Sequence, residues 1–473
     1  MKALTSCAIS GNNETKSRKK WKSSRLLLVA LSGAALAGCS SSPSSNSNPG
    51  QTTNPAQTYL AAGVGNLETY LIDLTANDFV VTSYGASGGT IQASGSVSQL
   101  SNGVLDLDIT YLPGLTISSP PQTGNWVVGI PGQVALMELE TTSSFGTSTS
   151  FAPLVPTQSC PSLATAETFQ FVTIPKRFST QSSLVGNGWN PQLETAYGSV
   201  SIATSGGAVQ FNNISQHTFP AANGGAGGQP TNPASASATA ACSSTFYGQT
   251  ISVPSSVPVL NPGQGTQSVP PSATIGIGPS GFLSEDSGAP QGPPNASIPP
   301  YENVLGAGYG AIGLPMPTAP LTTSTLASAQ YQGILYGAAS GSNSTVGSPG
   351  FRLIGSFGYP NLQTSCPTLP APSTSTILYG GEFANNDPSA NSFGNCDLAI
   401  DLGSQAASNN GLYTAVTVYV SASFPSNGHG SAYSFPAVAV AGQIDGKSAI
   451  FLIGVDTTGS PSQPWGIYLL QSN

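Results

Sequence analysis

The sequence predicts an all-β protein of two antiparallel meander units of barrel or sandwich type, with a single β-propeller as the alternative. Three observations carry this. Only 6% of the 473 residues are charged, whereas helix surfaces are normally paved with Glu, Lys and Arg. Gly (56) and Pro (39) together supply about a fifth of the chain, far above ordinary usage. The apolar residues, 38% of the total, fall in short runs that alternate with polar ones, the period of a half-buried strand. The low charge also argues against a coiled coil or a nucleic-acid binder, and the apolar runs argue against disorder throughout.

Residues 1–38 read as a targeting segment. Lys2, Lys16, Arg18, Lys19, Lys20, Lys22 and Arg25 precede an apolar run from Leu26 to Gly38, too short to span a bilayer comfortably. The run ends in Leu36-Ala37-Gly38-Cys39, which resembles a bacterial lipobox, so this is read as a lipoprotein signal peptide with Cys39 as the lipidated residue. Ser40 after that Cys, by resemblance to other lipoproteins, implies outer-membrane delivery, periplasmic or surface-exposed. Residues 39–57, Cys39 followed by a stretch rich in Ser, Asn and Pro, carry no charge and almost nothing to bury, a flexible tether. Removing 1–38 takes seven of the 11 basic residues and one of the 19 acids, leaving four bases, 18 acids and a formal charge of −14. Such a chain is repelled by nucleic acid and anionic lipid, so its membrane attachment has to come from the lipid on Cys39.

The remainder divides into a first β unit, 58–325, with long low-complexity loops, and a second, 326–473. In the first unit, runs rich in Val, Ile, Tyr, Phe and Thr predict strands over 68–74, 79–84, 90–97, 104–111, 126–130, 169–174, 198–203, 208–214, 246–253 and 273–277. Val104-Leu105-Asp106-Leu107-Asp108-Ile109 shows the pattern: two acids on one face, Leu and Ile on the other. In the second unit the same signal predicts strands over 331–336, 351–357, 375–379, 397–401, 413–420, 437–441, 448–454 and 465–470. Asp445-Gly446 lies between two apolar runs and predicts a tight hairpin. Residues 321–329 have the composition of a short helix. The stretches 222–240, 254–272 and 287–300, rich in Pro, Gly, Ser and Ala, read as surface loops.

The division rests on an apparent repeat. Gln158-Ser159-Cys160-Pro161-Ser162-Leu163 echoes Thr364-Ser365-Cys366-Pro367-Thr368-Leu369, and each is preceded by Ser-Phe-Gly and followed by one more Cys. Cys7 leaves with the signal and Cys39 is acylated, so Cys160, Cys242, Cys366 and Cys396 remain. An even number in an exported protein implies disulfides, and the repeat favours Cys160–Cys242 and Cys366–Cys396. No C-x-x-C occurs, and only His217 and His429 are available to join a zinc site, so no metal and no cofactor are expected.

No catalytic set stands out, and no catalytic residue is assigned. Gly85-Ala86-Ser87-Gly88-Gly89 matches G-x-S-x-G, but strands flank it on both sides instead of the strand and helix that motif requires. Asp286-Ser287-Gly288 lacks the apolar lead-in of an aspartic protease, and Asp456-Thr457-Thr458-Gly459 carries an extra residue. The acid pairs Glu138/Glu140, Glu285/Asp286 and Asp397/Asp401 suit a glycosidase as well as a strand surface. The oxygen-rich stretch 382–401 suits calcium but matches no known calcium spacing. Four segments, 194–200, 275–282, 395–401 and 451–456, together with the lipobox, resemble a family of large lipoproteins of Gram-negative soil bacteria. The resemblance implies location and architecture and no activity. The function expected is therefore that of a non-catalytic envelope lipoprotein binding a glycan or another envelope protein, with Tyr197, Tyr247, Tyr336 and Tyr379 as candidate aromatic contacts. The alternative is an extracytoplasmic polysaccharide hydrolase working through a carboxylate pair.

Overall fold

The structure, a computed structural model, describes residues 56–62, 67–85, 88–101, 103–111, 122–129, 135–143, 146–156, 166–175, 196–205, 208–219, 236–245, 248–253, 273–278, 281–286, 309–322, 325–326, 328–338, 350–358, 369, 377–382, 397–405, 410–424, 430–456 and 463–472. They form twenty-four strands in three closed antiparallel barrels of eight. The all-β, barrel-type meander is therefore observed, and the strands close into barrels, not into radial blades. The first expected unit, 58–325, holds a pair of barrels and the second, 326–473, holds one. Residues Thr53–Asn473 form one compact unit.

The first barrel comprises β1 (Gln57–Ala62), β2 (Leu67–Asp73), β3 (Asp78–Gly85), β4 (Gly88–Gln99), β5 (Leu105–Tyr111), β6 (Gln122–Gly129), β7 (Ala135–Ser143) and β8 (Gly146–Pro156). β1 pairs with β8 to close it. Inside lie Tyr70, Phe79, Val81, Val97, Leu107 and Ile109, all buried. These are alternate positions of their strands, so the period-two pattern of the sequence becomes the inside-outside alternation of the barrel. β1 begins at Gln57, the last residue of the expected tether.

The second barrel comprises β9 (Glu167–Pro175), β10 (Ala196–Ser205), β11 (Ala208–Thr218), β12 (Ala236–Thr245), β13 (Gly248–Val253), β14 (Ala273–Gly278), β15 (Gly281–Asp286) and β16 (Tyr309–Pro315), with β16 returning to pair with β9. β12 takes in the last five residues of the 222–240 stretch, which corrects the loop expected there. Its Ala, Ser and Thr contribute a strand through backbone pairing with β11 and β13, not through branched side chains. The stretches 254–272 and 287–300 lie outside the described residues.

The third barrel comprises β17 (Tyr331–Ala338), β18 (Gly350–Gly358), β19 (Ile377–Glu382), β20 (Leu398–Asp401), β21 (Leu412–Val420), β22 (Tyr433–Ile444), β23 (Lys447–Asp456) and β24 (Gln463–Gln471). The Asp-Gly hairpin is present: Ile444 pairs with Lys447, and Asp445 and Gly446 have φ of 50° and 75°. Two successive left-handed residues are what a right-twisted two-residue hairpin needs.

The connector from β16 to β17 closes one end of this third barrel. Among its described residues the helical ones are Thr325 and Leu326, with Leu326 N–H donating to Thr322 O at 3.1 Å and Thr325 N–H to Thr322 Oγ1 at 3.1 Å. Leu321 and Leu326 are buried among the interior side chains of the barrel. The Tyr413 hydroxyl donates to Leu321 O and the Tyr331 hydroxyl to Leu326 O, each at 2.8 Å. Asn410 Nδ2 donates to Pro317 O at 3.1 Å. The connector is thus a plug held by its backbone carbonyls.

The barrels share a core. β23 is buried at nine of its ten positions. Ile450 and Leu452 point into the third barrel, while Phe451, Ile453 and Val455 join Trp126 and Val128 of the first barrel and Val172, Ile312 and Leu314 of the second. This explains the near-continuous apolar run Ala449–Val455, since a strand buried on both faces has no polar side to alternate.

The two copies of the apparent repeat, which apart from Leu369 lie outside the described residues, fall at different places in the order of strands. The first copy lies between β8 and β9, in the connection between two barrels; the second lies between β18 and β19, inside one. The Ser-Phe-Gly segments differ as well: one spans the tip of the β7–β8 hairpin, where Ser143 pairs with Gly146, and the other ends β18.

Candidate functional site

Most of the expected chemistry disperses. Gly85 pairs with Gly88 across β3 and β4, so the G-x-S-x-G segment is a hairpin. Asp286 ends β15 in the second barrel and Asp456 ends β23 in the third. Glu138 and Glu140 lie two positions apart on β7, opposite Phe151 and Thr149. Asp397 and Asp401 lie at opposite ends of β20, Asp397 just before its first residue and Asp401 its last, with three residues between them and about 13 Å of backbone rise. Asp401 Oδ1 accepts from Gly403 N–H at 3.0 Å, a local turn contact. His217 stacks on Tyr197, with ring centroids 5.0 Å apart and planes at 11°, and its Nε2 lies 3.3 Å from Ser215 Oγ. Cys39, Cys160, Cys366, Cys396, His429 and most of 382–401 lie outside the described residues; Cys242 lies on β12, opposite Ile251. No group of three or more potential metal ligands occurs among the described residues.

Of the candidate aromatic contacts, Tyr247 and the Tyr336 side chain lie outside the described residues, and the other two are covered. Tyr197 and Tyr379 are 2% and 1% exposed, so they pack the core and offer no ring to a ligand. Their alternating strand positions put them on covered faces, Tyr197 between barrels and Tyr379 under Leu369.

Two other places gather functional groups. The first is the end of the third barrel opposite the plug. There β20, β21, β22, β23 and β24 bring together Asp397, Phe424, Tyr433, Phe435, Asp456 and Trp465. The Trp465 ring lies 4.9 Å from Phe435, 6.2 Å from Phe424 and 6.5 Å from Tyr433, the last edge-on at 80°. Gly454 makes this packing feasible: a Cβ there would sit 2.5 Å from the Phe435 ring. Asp397 and Asp456 are both buried. Burial, and then the Asp456 charge, push the Tyr433 hydroxyl well above its ordinary value.

The second place is the outer face of β2–β5. Leu71 pairs with Val80, Val80 with Ser94 and Ser94 with Tyr111, so these four form one row across four strands. The adjoining row is Asp73, Asp78, Ser96 and Asp108, each opposite the next. Each row spans about 14 Å at ordinary strand spacing. Leu71 is 39% exposed, Tyr111 47%, and Ile91, opposite Thr82 on the same sheet, 47%. Asp73 Oδ1 also accepts from Thr75 and Ala76 N–H at 2.8 and 2.9 Å, closing the β2–β3 turn in which Asn77 takes a φ of 59°. The alternation of 104–109 announces the Asp106/Asp108 face of this surface. Its apolar row has no sequence signal, since it is assembled from single residues of separate strands.

The tyrosines of the third barrel set an alkaline limit. Burial raises the hydroxyl pKa of Tyr331, Tyr413, Tyr433 and Tyr468 above the ordinary 10.0. The unfolded chain then loses these protons near pH 10 while the folded chain keeps them, so stability is full below pH 10 and falls above it. Ionisation also deletes the Tyr331 and Tyr413 donors that hold the plug. Tyrosinate absorbance from this group is expected to rise only together with loss of tertiary circular dichroism. Smooth titration with the fold intact would contradict the burial described.

Comparison with protein-family models and with curated proteins gives no match. Among solved structures, the chain is similar to isotype 1 transferrin binding protein B from serogroup B Neisseria meningitidis, at 10% identity and a TM-score of 0.25. The match covers 86% of this chain and 66% of that one.

Proposed function

We propose that this chain is a lipid-anchored protein of the bacterial envelope with a non-catalytic binding or scaffolding role. The single observation that carries the reading is the shared core of the three barrels, which makes Thr53–Asn473 one compact unit. A block of this kind holds its outer sheet faces in fixed relation, as a scaffold requires. The lipobox ending in Cys39 and the uncharged stretch that follows supply an anchor and a tether. The ligand class is a glycan or another envelope protein. Replacing the lipidated residue, Cys39→Ala, is expected to move the protein from the membrane fraction to the soluble fraction and to abolish fatty-acid labelling. Retention of the variant in the membrane would overturn the anchoring.

The same compartment permits disulfides. Cys242 belongs to the second barrel and Cys160 to the segment leading into it, while Cys366 and Cys396 flank β19 in the third. Pairing as Cys160–Cys242 and Cys366–Cys396 keeps each bond with one barrel. Loss of either is expected to cost about 2–5 kcal/mol. Non-reducing peptide mapping checks this, and four free thiols or a bond between the two pairs would refute it.

A further inference from the structure

We infer that the outer face of β2–β5 docks a protein whose surface carries a cationic strip beside an apolar one. The inference rests on the binding role proposed above and adds a site and a partner chemistry to it. The three large apolar side chains recorded as exposed among the described residues, Leu71, Ile91 and Tyr111, all lie on this one sheet. Scattered exposed apolar residues need no explanation, but a contiguous group marks an interaction surface. Leu71 and Tyr111 end one cross-strand row, joined through half-buried Val80 and Ser94, and Ile91, opposite Thr82, lies in the next row, so the three gather on one face.

The surroundings select the partner. Residues 57–156 contain seven acids and no Lys, Arg or His. Asp73, Asp78 and Asp108 therefore have no cation within their own barrel's sequence. Asp73 and Asp78 stand directly opposite each other across β2 and β3, an arrangement that costs stability on its own. A cationic strip laid on the row Asp73, Asp78 and Asp108 relieves that repulsion and brings the apolar strip beside it onto Leu71, Val80 and Tyr111. The orientation leaves the face accessible, since the first barrel meets the other two mainly through β1, β6, β7 and β8. The same charges exclude competing occupants. A second copy of this acidic chain, an anionic lipid surface or a nucleic acid is repelled. A neutral glycan can hydrogen-bond the aspartates but relieves none of their charge, and among the described residues of this face it finds one exposed ring, Tyr111.

The test uses the full-length protein in non-ionic detergent and two synthetic helical peptides of equal charge, one of Lys and Leu and one of Lys and Ser. Binding is followed by fluorescence anisotropy at physiological salt. The Lys/Leu peptide is expected to bind at least tenfold more tightly than the Lys/Ser peptide. The apolar variant Leu71→Ser with Ile91→Ser and Tyr111→Ser, and the charge variant Asp78→Asn with Asp108→Asn, are each expected to weaken it tenfold or more. Asp445→Asn, an exposed acid in the Asp-Gly turn of the third barrel, is expected to leave it unchanged. Equal binding of the two peptides, or equal binding by wild type and both face variants, overturns the inference. Failure of the peptides alongside saturable capture of a neutral glycan by the same preparation removes this partner and leaves the binding role standing. Turnover of a polysaccharide that is abolished by one acid substitution removes the binding role itself.

Discussion

Trp465→Ala is expected to destabilise the protein by about 3–5 kcal/mol, the cost of deleting a large buried aromatic from a core that collapses only partly. The ring is 1% exposed and packs against Phe424, Tyr433 and Phe435 inside the third barrel. Its neighbours cannot move in to fill the space, because Phe435 is already seated over Gly454, the residue paired with Trp465. Trp465→Phe separates the ring from its polar atom. The indole Nε1–H finds no acceptor among the described residues, so the change removes no hydrogen bond and gives up only part of the volume. It is expected to cost less than about 1.5 kcal/mol. Urea unfolding followed by far-UV circular dichroism measures both, and equal costs for the two variants would mean that the N–H, not the packing, stabilises this end of the barrel.

Phe451→Ala is the second large effect, also about 3–5 kcal/mol. Phe451 faces away from the interior of its own barrel. It lies 5.8 Å from the Tyr468 ring, in the core to which the first and second barrels contribute Trp126 and Val172. Its loss is therefore felt by all three barrels, whereas Leu452→Ala, one residue along and inward-facing, acts first on the third.

The third barrel is the most legible in sequence. Runs such as Leu412–Val420 and Lys447–Asp456 are dense in branched and aromatic residues, and the Asp-Gly turn fixes a hairpin between two of them. The strands that the alternation reading passes over are β1, β7, β8, β12, β15 and β16, and the physical reasons are specific. β7 is Ala-Leu-Met-Glu-Leu-Glu at its start, good helix formers held extended by pairing on both sides. β8 contains two prolines, and β12 is almost wholly Ala, Ser and Thr. Such segments are strands because a barrel needs them to close, and closure is a tertiary demand that local pattern does not carry.

The candidate surfaces are legible in a different measure. Asp106 and Asp108 announce an exposed strand face. The row Leu71–Val80–Ser94–Tyr111 exists only once register is known, because a shift of one residue in any pairing would send its members inward. Tyr197 and Tyr379 show the reverse: strand tyrosines attractive as ligand contacts are covered, one by a neighbouring barrel and one by a loop residue, Leu369. Which barrel faces which other is absent from any single strand's pattern. The all-apolar runs of β22, β23 and β24 are the local signs that a strand is covered from both sides.

Hydrogen exchange on the Phe451→Ala protein tests the shared core most directly. Amides of β6 and β9, on the other two barrels, are expected to lose protection together with those of β22–β24, by a common factor set by the loss of global stability. Loss of protection confined to β17–β24, with β6 and β9 unchanged, would contradict the account and make the third barrel an independent domain.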